Sequence, residues 1–227
     1  MPVITISRQY GSGGDAIAGR VCALLGYWYL DKWLLRQVAG EVGLSEEEVV
    51  DFSEDAYKAR SFFQTLFGPR QRVVSTVSTR SRGAGGVTEK SEFTLDEAQC
   101  IDLIRVAVKH AYQRNNIVIL GRGSQVILRD KPEVLHVRVE APLMTRIANV
   151  QAVEDMTTGE ARALIGNRDL AAQQYLERFF AVEWDDSSLY HLLINTGKCE
   201  VETAARIIVS AVECLVGETE STDVVAP

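Results

Sequence analysis

Gly11-Ser12-Gly13-Gly14 follows the short apolar run Val3–Ser7 and precedes a helical pattern that starts at Asp15. This order of parts is what a phosphate-gripping loop requires. A strand aims the bend, and glycines let backbone N–H groups turn inward with no Cβ in the way. The positive N-terminal end of the following helix attracts the anion. Gly11, Ser12, Gly13, Gly14 and Asp15 are therefore candidates for holding a nucleotide's phosphates, although an ordinary tight strand-to-helix turn has the same composition. Two departures from the common patterns stand out. Gly14 occupies the place of the lysine in a Gly-Lys-Ser/Thr loop, and Ala16 occupies that of a hydroxyl in the Gly-Lys-x-Thr spacing. Ala16 also breaks the dinucleotide pattern Gly-x-Gly-x-x-Gly.

The elements that must position this loop are legible as alternating patterns. Apolar runs bounded by turns, the signature of buried parallel strands, occur at Val3–Ser7, Ile117–Gly121, Val134–Glu140 and Leu189–Asn195, with a shorter one at Trp28–Leu30. Helical patterns lie between them at Asp15–Leu25, Lys32–Val42, Leu95–Arg114, Leu143–Glu154, Thr158–Phe180 and Val201–Val216. Asp96 and Thr158 are the expected N-caps. Strands alternating with helices imply an α/β fold with a mostly parallel sheet covered on both faces.

Composition bounds the rest. With 227 residues and 46% hydrophobic content, the chain suffices for one α/β domain carrying an insertion. A net charge of −7 argues against a broad nucleic-acid surface but leaves room for a small basic pocket. Cys22, Cys100, Cys199 and Cys214 are far apart, which disfavours a metal knuckle. Cys22 and Cys214 are expected to be buried as small hydrophobes. With no signal-like segment and no 18-residue apolar run, a cytoplasmic protein with no membrane partner is expected. The expected layout is a single domain over residues 1–216, followed by a fraying polar tail over 217–227.

Two stretches interrupt the strand–helix rhythm. Residues 45–91 read as an inserted, mobile segment. Its basic residues Arg70, Arg72, Arg80 and Arg82 belong either to a solvated loop or to a flap that meets an anionic substrate. Residues 154–178 are helical and charged, and Arg162, Arg168 and Arg178 are either phosphate ligands or exposed helix charges. His110, His136 and His191 pair with no Ser or Cys in a nucleophilic pattern and read as structural, the last two inside apolar strands.

Five motifs in order resemble the cytidylate kinase-like family of nucleoside monophosphate kinases. They are Ile6-Ser7-Arg8-Gln9-Tyr10-Gly11-Ser12-Gly13-Gly14, Leu25-Gly26-Tyr27-Trp28-Tyr29-Leu30-Asp31-Lys32, Val118-Ile119-Leu120-Gly121-Arg122-Gly123, Leu135 to Pro142 with Arg146 beyond, and Trp184-Asp185-Asp186 leading to Tyr190–Thr196. The resemblance implies a three-layer P-loop NTPase-like fold: a parallel five-stranded sheet flanked by helices, with an acceptor-binding insertion and a helical lid. It implies transfer of the γ-phosphoryl group of ATP to CMP or dCMP with Mg2+ bridging the donor phosphates. Small-molecule nucleotides would be the partners.

Within that resemblance, Asp31 orients the acceptor, or instead caps the helix after it. Arg122, between two glycines, is an exposed fork that grips the acceptor's phosphate. Arg146 opens the lid region or is a surface charge, and the stretch beyond Asn195-Thr196 lies near adenine. Arg8 is the candidate substitute for the missing lysine. The family carries Asp where Gly123 stands and an Arg three residues after a lid Asp, where Ala172 follows Asp169; Arg168 or Arg178 is the candidate replacement. A nucleotide-binding regulatory module without turnover, or a kinase for another small metabolite, is the competing reading. The magnesium ligands and the oligomeric state are not written in the sequence.

Overall fold

The computed structural model describes residues 2–30, 74–79, 90–95 and 97–222. Strand β1 (Val3–Arg8) leads through the glycine loop into α1 (Gly14–Leu25), and β2 (Trp28–Leu30) follows. After a hairpin of β3 (Val74–Thr79) and β4 (Lys90–Leu95), the order is α2 (Glu97–Arg114), β5 (Ile117–Leu120), α3 (Ser124–Ile127) and β6 (Val134–Glu140). Helices α4 (Leu143–Val153) and α5 (Thr158–Phe180), strand β7 (Leu192–Asn195) and helix α6 (Val201–Thr222) complete the described chain.

Five strands form one parallel sheet in the order β2-β5-β1-β6-β7. The chain reverses direction of travel across the sheet at β1, so the loop after β1 sits at the switch point where open α/β sheets bind ligands. Period-two alternation splits the strands between two cores. Ile4, Ile6, Val118, Leu120, Leu135, Val137 and Val139 pack under α1 and α6, against Ile17, Val21, Ala205 and Ile208. Val3, Ile117, Ile119 and Val134 pack on the other face with α2 and α5, against Ile104, Val108, Tyr175 and Leu176. A third, smaller core joins α4 to α5 through Ile147, Val150, Ala161 and Ile165, with Tyr10 of the glycine loop packed against it.

The parallel five-stranded sheet with flanking helices is the architecture expected from the alternating pattern, but several local readings change. Helix α5 is capped by Thr157, not Thr158: Thr157 accepts from Glu160 N while the Glu160 carboxylate takes the Thr157 N–H, a capping box. The last strand begins at Leu192 because Ser187–Leu189 are wound into a 3-10 turn, fastened by Ser188 N donating to Asp186 Oδ1 at 2.9 Å. His191 therefore precedes the strand and is exposed. Helix α6 runs on to Thr222, past Gly217, which no proline follows closely enough to stop the helix.

Within 45–91, residues 74–79 are strand and pair antiparallel with β4, a run in which Val and Thr favour the pleated state over the loop that Ser and Thr content suggests. Asp31, Asp96, Lys32–Val42, Arg70, Arg72, Arg80 and Arg82 lie outside the described residues. Cys214 is exposed on α6, because the apolar stripe that faces the sheet there runs through Ala204, Ala205, Ile208 and Val212. Cys22 is half-buried, and burial pushes its thiol up to about 11, which leaves it protonated and unreactive at neutral pH.

Candidate functional site

The glycine loop is shaped by what its neighbours take from it. Asn149 of α4 donates to Gly11 O at 2.8 Å, and Thr196 Oγ1 donates to Ser12 O at 2.7 Å. The buried Ser12 hydroxyl is turned back to Val139 O. These carbonyls are thus satisfied from outside the bend. The first helical bond runs from Ile17 N to Gly13 O, so the amides of Gly14, Asp15 and Ala16 lie ahead of it, the position from which helix amides serve an external acceptor. Gly11 has φ +79°, and a Cβ there would lie 2.9 Å from Arg146 O, so the bend and α4 can approach this closely only at glycine.

Arg8 closes the other side of the loop. A Cβ on Gly14 would lie 2.6 Å from Arg8 Cβ and 2.9 Å from its Cγ. The Arg8 stem therefore lies across the position from which a loop lysine would extend, and its guanidinium reaches Asp15 at 3.5 Å, at the head of α1. The glycine and the arginine are one device: the arginine needs the space that a side chain at position 14 would fill.

Helix α5 is fastened to the loop through Asp169. Its Oδ1 accepts from Tyr10 N at 2.9 Å and its Oδ2 meets Arg146 Nη1 at 2.5 Å, while the same Nη1 donates to Tyr10 O at 3.3 Å. Arg168, one residue earlier, lies 5.7 Å from the Tyr10 ring centroid. Arg146 is consequently buried, not a surface charge, and is committed to holding the loop. Arg162 and Arg178 are exposed on α5. Ala172 is buried in the core beneath α5, where an arginine would have to enter a closed apolar cluster.

Directly after the neighbouring strand β5, Gly121, Arg122 and Gly123 all have positive φ, of 65°, 64° and 67°. A left-handed arginine is uncommon and costs of order 1 kcal/mol or more, which marks a place where geometry outranks local comfort. Arg122 is only 7% exposed, so the exposed fork expected from its flanking glycines is instead a side chain folded into the protein. Gly123 abuts Phe180 at the end of α5: a Cβ would sit 2.6 Å from the ring. Arg105 of α2 holds that corner, donating to Phe179 O at 3.0 Å with its guanidinium 5.3 Å from the Phe180 ring. The aspartate of the family pattern at position 123 would require Phe180 to move.

A family model described as the cytidylate kinase-like family matches residues 3–198. The chain belongs to that family. Among its relatives, a cytidylate kinase of Halobacterium salinarum is 26% identical over 119 residues, which cover 52% of this chain and 62% of the relative, somewhat under two thirds of its length. A cytidylate kinase of Pyrococcus horikoshii is 23% identical over 214 residues, covering 94% of this chain and 89% of the relative. Among solved structures, an uncharacterized protein from Eubacterium ventriosum shares the fold, with a TM-score of 0.62 at 20% identity over 94% of this chain and 99% of the other. Membership gives the chain the P-loop kinase fold of that family. The family's phosphate loop here carries Arg8 across it, and its Gly-Arg turn is backed by Phe180.

Asp169 as a loop anchor, Asn149 and Phe180 have no local signature in the sequence, and Arg138 and Trp184 stand there only as parts of family motifs with no role of their own. Asp169 meets Tyr10 across 159 positions and Asn149 meets Gly11 across 138, so these contacts exist only once the helices are docked. The same side of the sheet carries His136, whose Nδ1 is 2.7 Å from Thr5 Oγ1 and whose backbone N–H donates to His191 Nδ1. Burial, with His191 nearby as a second cause and a weaker opposing effect from the Leu128 carbonyl, lowers the His136 pKa from 6.5 to about 4. The unfolded chain takes up that proton near pH 6.5 and the folded one only near 4, so stability is expected to fall as pH drops through this window. The fall amounts to at most about 3 kcal/mol. Thermal unfolding of the wild type and of His136→Asn at pH 7, 5.5 and 4.5 checks this: the variant is expected to lose less on acidification, and equal slopes refute the assignment.

Among the described residues no cluster of three or more His, Cys, Asp or Glu side chains is placed to hold a metal, and no helix is long and apolar enough to cross a membrane.

Proposed function

We propose that the protein is an ATP-dependent nucleoside monophosphate kinase whose acceptor is CMP or dCMP. The observation that carries the reading is the loop: its Gly11 and Ser12 carbonyls are claimed from behind by Asn149 and Thr196, leaving the amides at the head of α1 and the Arg8 side chain as its donor-facing chemistry. Phosphoryl transfer asks for alignment and positive charge around the moving group rather than for a covalent intermediate, and the acceptor phosphate needs no general base.

In this reading Gly13, Gly14 and Asp15 present backbone N–H groups to the donor's β-phosphate. Arg8 supplies the cation that lysine supplies elsewhere, and Arg122 holds the acceptor monophosphate. Arg146 and Arg168 act by setting the loop and the lid. ATP fits a loop of this kind. Mg2+ needs only one or two protein carboxylates; Asp15, exposed at the head of α1, would be the candidate to hold it, and the ion would supply positive charge to the phosphates. Asp31 and residues 45–91 would serve the acceptor, and residues 154–178 would close over the donor. The cytoplasm is the expected setting.

A second reading, a nucleotide-binding module without turnover, is favoured by Gly14 in the place of the loop lysine and by Ala172 in the core. ADP release measured over a panel of nucleoside monophosphates, alongside ATP binding by calorimetry, separates the two. Turnover with CMP or dCMP is expected; ATP binding without release for any acceptor overturns the kinase reading. Arg122→Lys keeps the charge and loses the fork, and is expected to weaken acceptor affinity about 10- to 100-fold while leaving ATP affinity intact. Equal loss for both nucleotides refutes the role.

A further inference from the structure

The sheet face under α5 carries a charge that the site does not explain. Arg138 in β6 is 2% exposed, and it pairs across the sheet with Ser7, the residue before Arg8. Its guanidinium lies 4.6 Å from the Trp184 ring centroid and 5.6 Å from that of Tyr190. Its Nη1 donates to Trp184 O, and its Nε is 3.5 Å from the Glu140 carboxylate. Burying an ionised group costs several kcal/mol unless it is fully paired, and an apolar residue of similar size often serves stability as well. A buried arginine in a rigid aromatic cage is therefore better explained by geometry than by stability.

The cage rests on the sheet and leads to the acceptor turn. Trp184 Nε1 donates to Ser7 Oγ at 3.1 Å, which anchors the indole on β1, a strand held independently by its ladders to β5 and β6. Tyr190 OH donates to Trp184 O at 3.0 Å, and Gln125 Nε2 lies 3.5 Å from the Tyr190 oxygen. Gln125 is buried in α3, the short helix that leaves directly from the Gly121-Arg122-Gly123 turn. The Gln125 amide N–H thus links buried α3 to the Tyr190 hydroxyl of the cage.

We infer that Arg138 is a positioning residue: by locking Trp184 and Tyr190 it sets α3, and through α3 the left-handed turn that carries Arg122. It does not touch a ligand. The inference rests on the kinase reading only for its effect on the acceptor; the mechanical coupling from cage to turn stands apart from it.

Two variants test it on the full chain. Arg138→Lys keeps the charge and loses the planar stack, and Tyr190→Phe removes one hydroxyl and keeps the ring. Tyr190→Phe remains decisive if Arg138→Lys does not fold. The ligand-free readout is amide hydrogen exchange. In either folded variant, peptides spanning residues 121–128 are expected to exchange at least fivefold faster, with residues 10–17 changing less than twofold. In the presence of nucleotides, the KM for CMP is expected to rise about fivefold or more, with the KM for ATP and kcat within twofold. Unchanged exchange at 121–128, or a uniform rise across the whole sheet as a merely structural role gives, overturns the inference. Wild-type protein that turns over no monophosphate overturns the kinase reading instead, and the exchange result still decides the coupling.

Discussion

Arg8→Ala is expected to lower kcat for ATP-dependent phosphoryl transfer by about 10²–10³-fold, the usual consequence of removing one preorganised donor from the charge that develops in a transition state. The expectation follows from the space relation between Arg8 and Gly14. The loop has no lysine, and the stem of Arg8 crosses the lysine's position, with its guanidinium at the first turn of α1. The same geometry makes a second substitution informative. Gly14→Lys restores the common loop pattern in sequence, yet its Cβ would lie 2.6 Å from Arg8 Cβ, an atom that cannot swing aside without the strand. The lysine variant is therefore expected to lose activity rather than gain it. Steady-state kinetics with ATP and CMP, with folding checked by circular dichroism, measures both. An Arg8→Ala enzyme with kcat within threefold of the wild type refutes the substitution of arginine for lysine.

Asp169→Ala is expected to be the most destabilising single change in the site. Asp169 and Arg146 are a mostly buried pair, with side-chain exposures of 19% and 10%. Removing one partner of such a pair strands the other charge and costs about 3–5 kcal/mol. For a domain of this size that corresponds to a drop in Tm of roughly 10 °C. The loss is local in origin, because the same carboxylate also takes the Tyr10 N–H, so the glycine loop loses its tie to α5. ATP affinity is expected to fall at temperatures where the variant is still folded. Asp169→Asn keeps an acceptor for Tyr10 N and is expected to retain more ATP affinity than the alanine variant while losing most of the ion pair. A Tm within 2 °C of the wild type for Asp169→Ala shows that the pair is not load-sharing in solution.

These two cases also show how far the sequence reaches. The place of the loop is legible because its signals are local: a short strand with Val3, Ile4 and Ile6, then glycines, then a helix. The parallel sheet is legible because strands and helices alternate with the periods that burial on two faces demands. What Arg146 does is not legible. From sequence it is a helical arginine with two plausible fates, and only the docking of α5 on α4 shows it buried against Asp169. Arg122 is similar. Its flanking glycines announce an unusual turn, but its burial at 7% exposure is set by the folded chain, where Phe180 backs the neighbouring Gly123. Thr157 rather than Thr158 caps α5 because the reciprocal bond to Glu160 decides between adjacent threonines, a choice of one residue that periodicity does not make.

By itself the sequence determined the class of fold, the alternation of the five sheet strands with their helices and the place of the glycine bend, since each follows from hydrophobic period and glycine placement within short windows. The tertiary structure alone decided which arginines serve the loop and which serve the frame, and that a glycine at position 14 makes room for Arg8. The reason is physical: the sheet order β2-β5-β1-β6-β7 brings together groups more than 130 positions apart, such as Asn149 and Gly11 or Asp169 and Tyr10. The charge state, burial and reach of a side chain are set by those neighbours and not by the residues beside it in the chain.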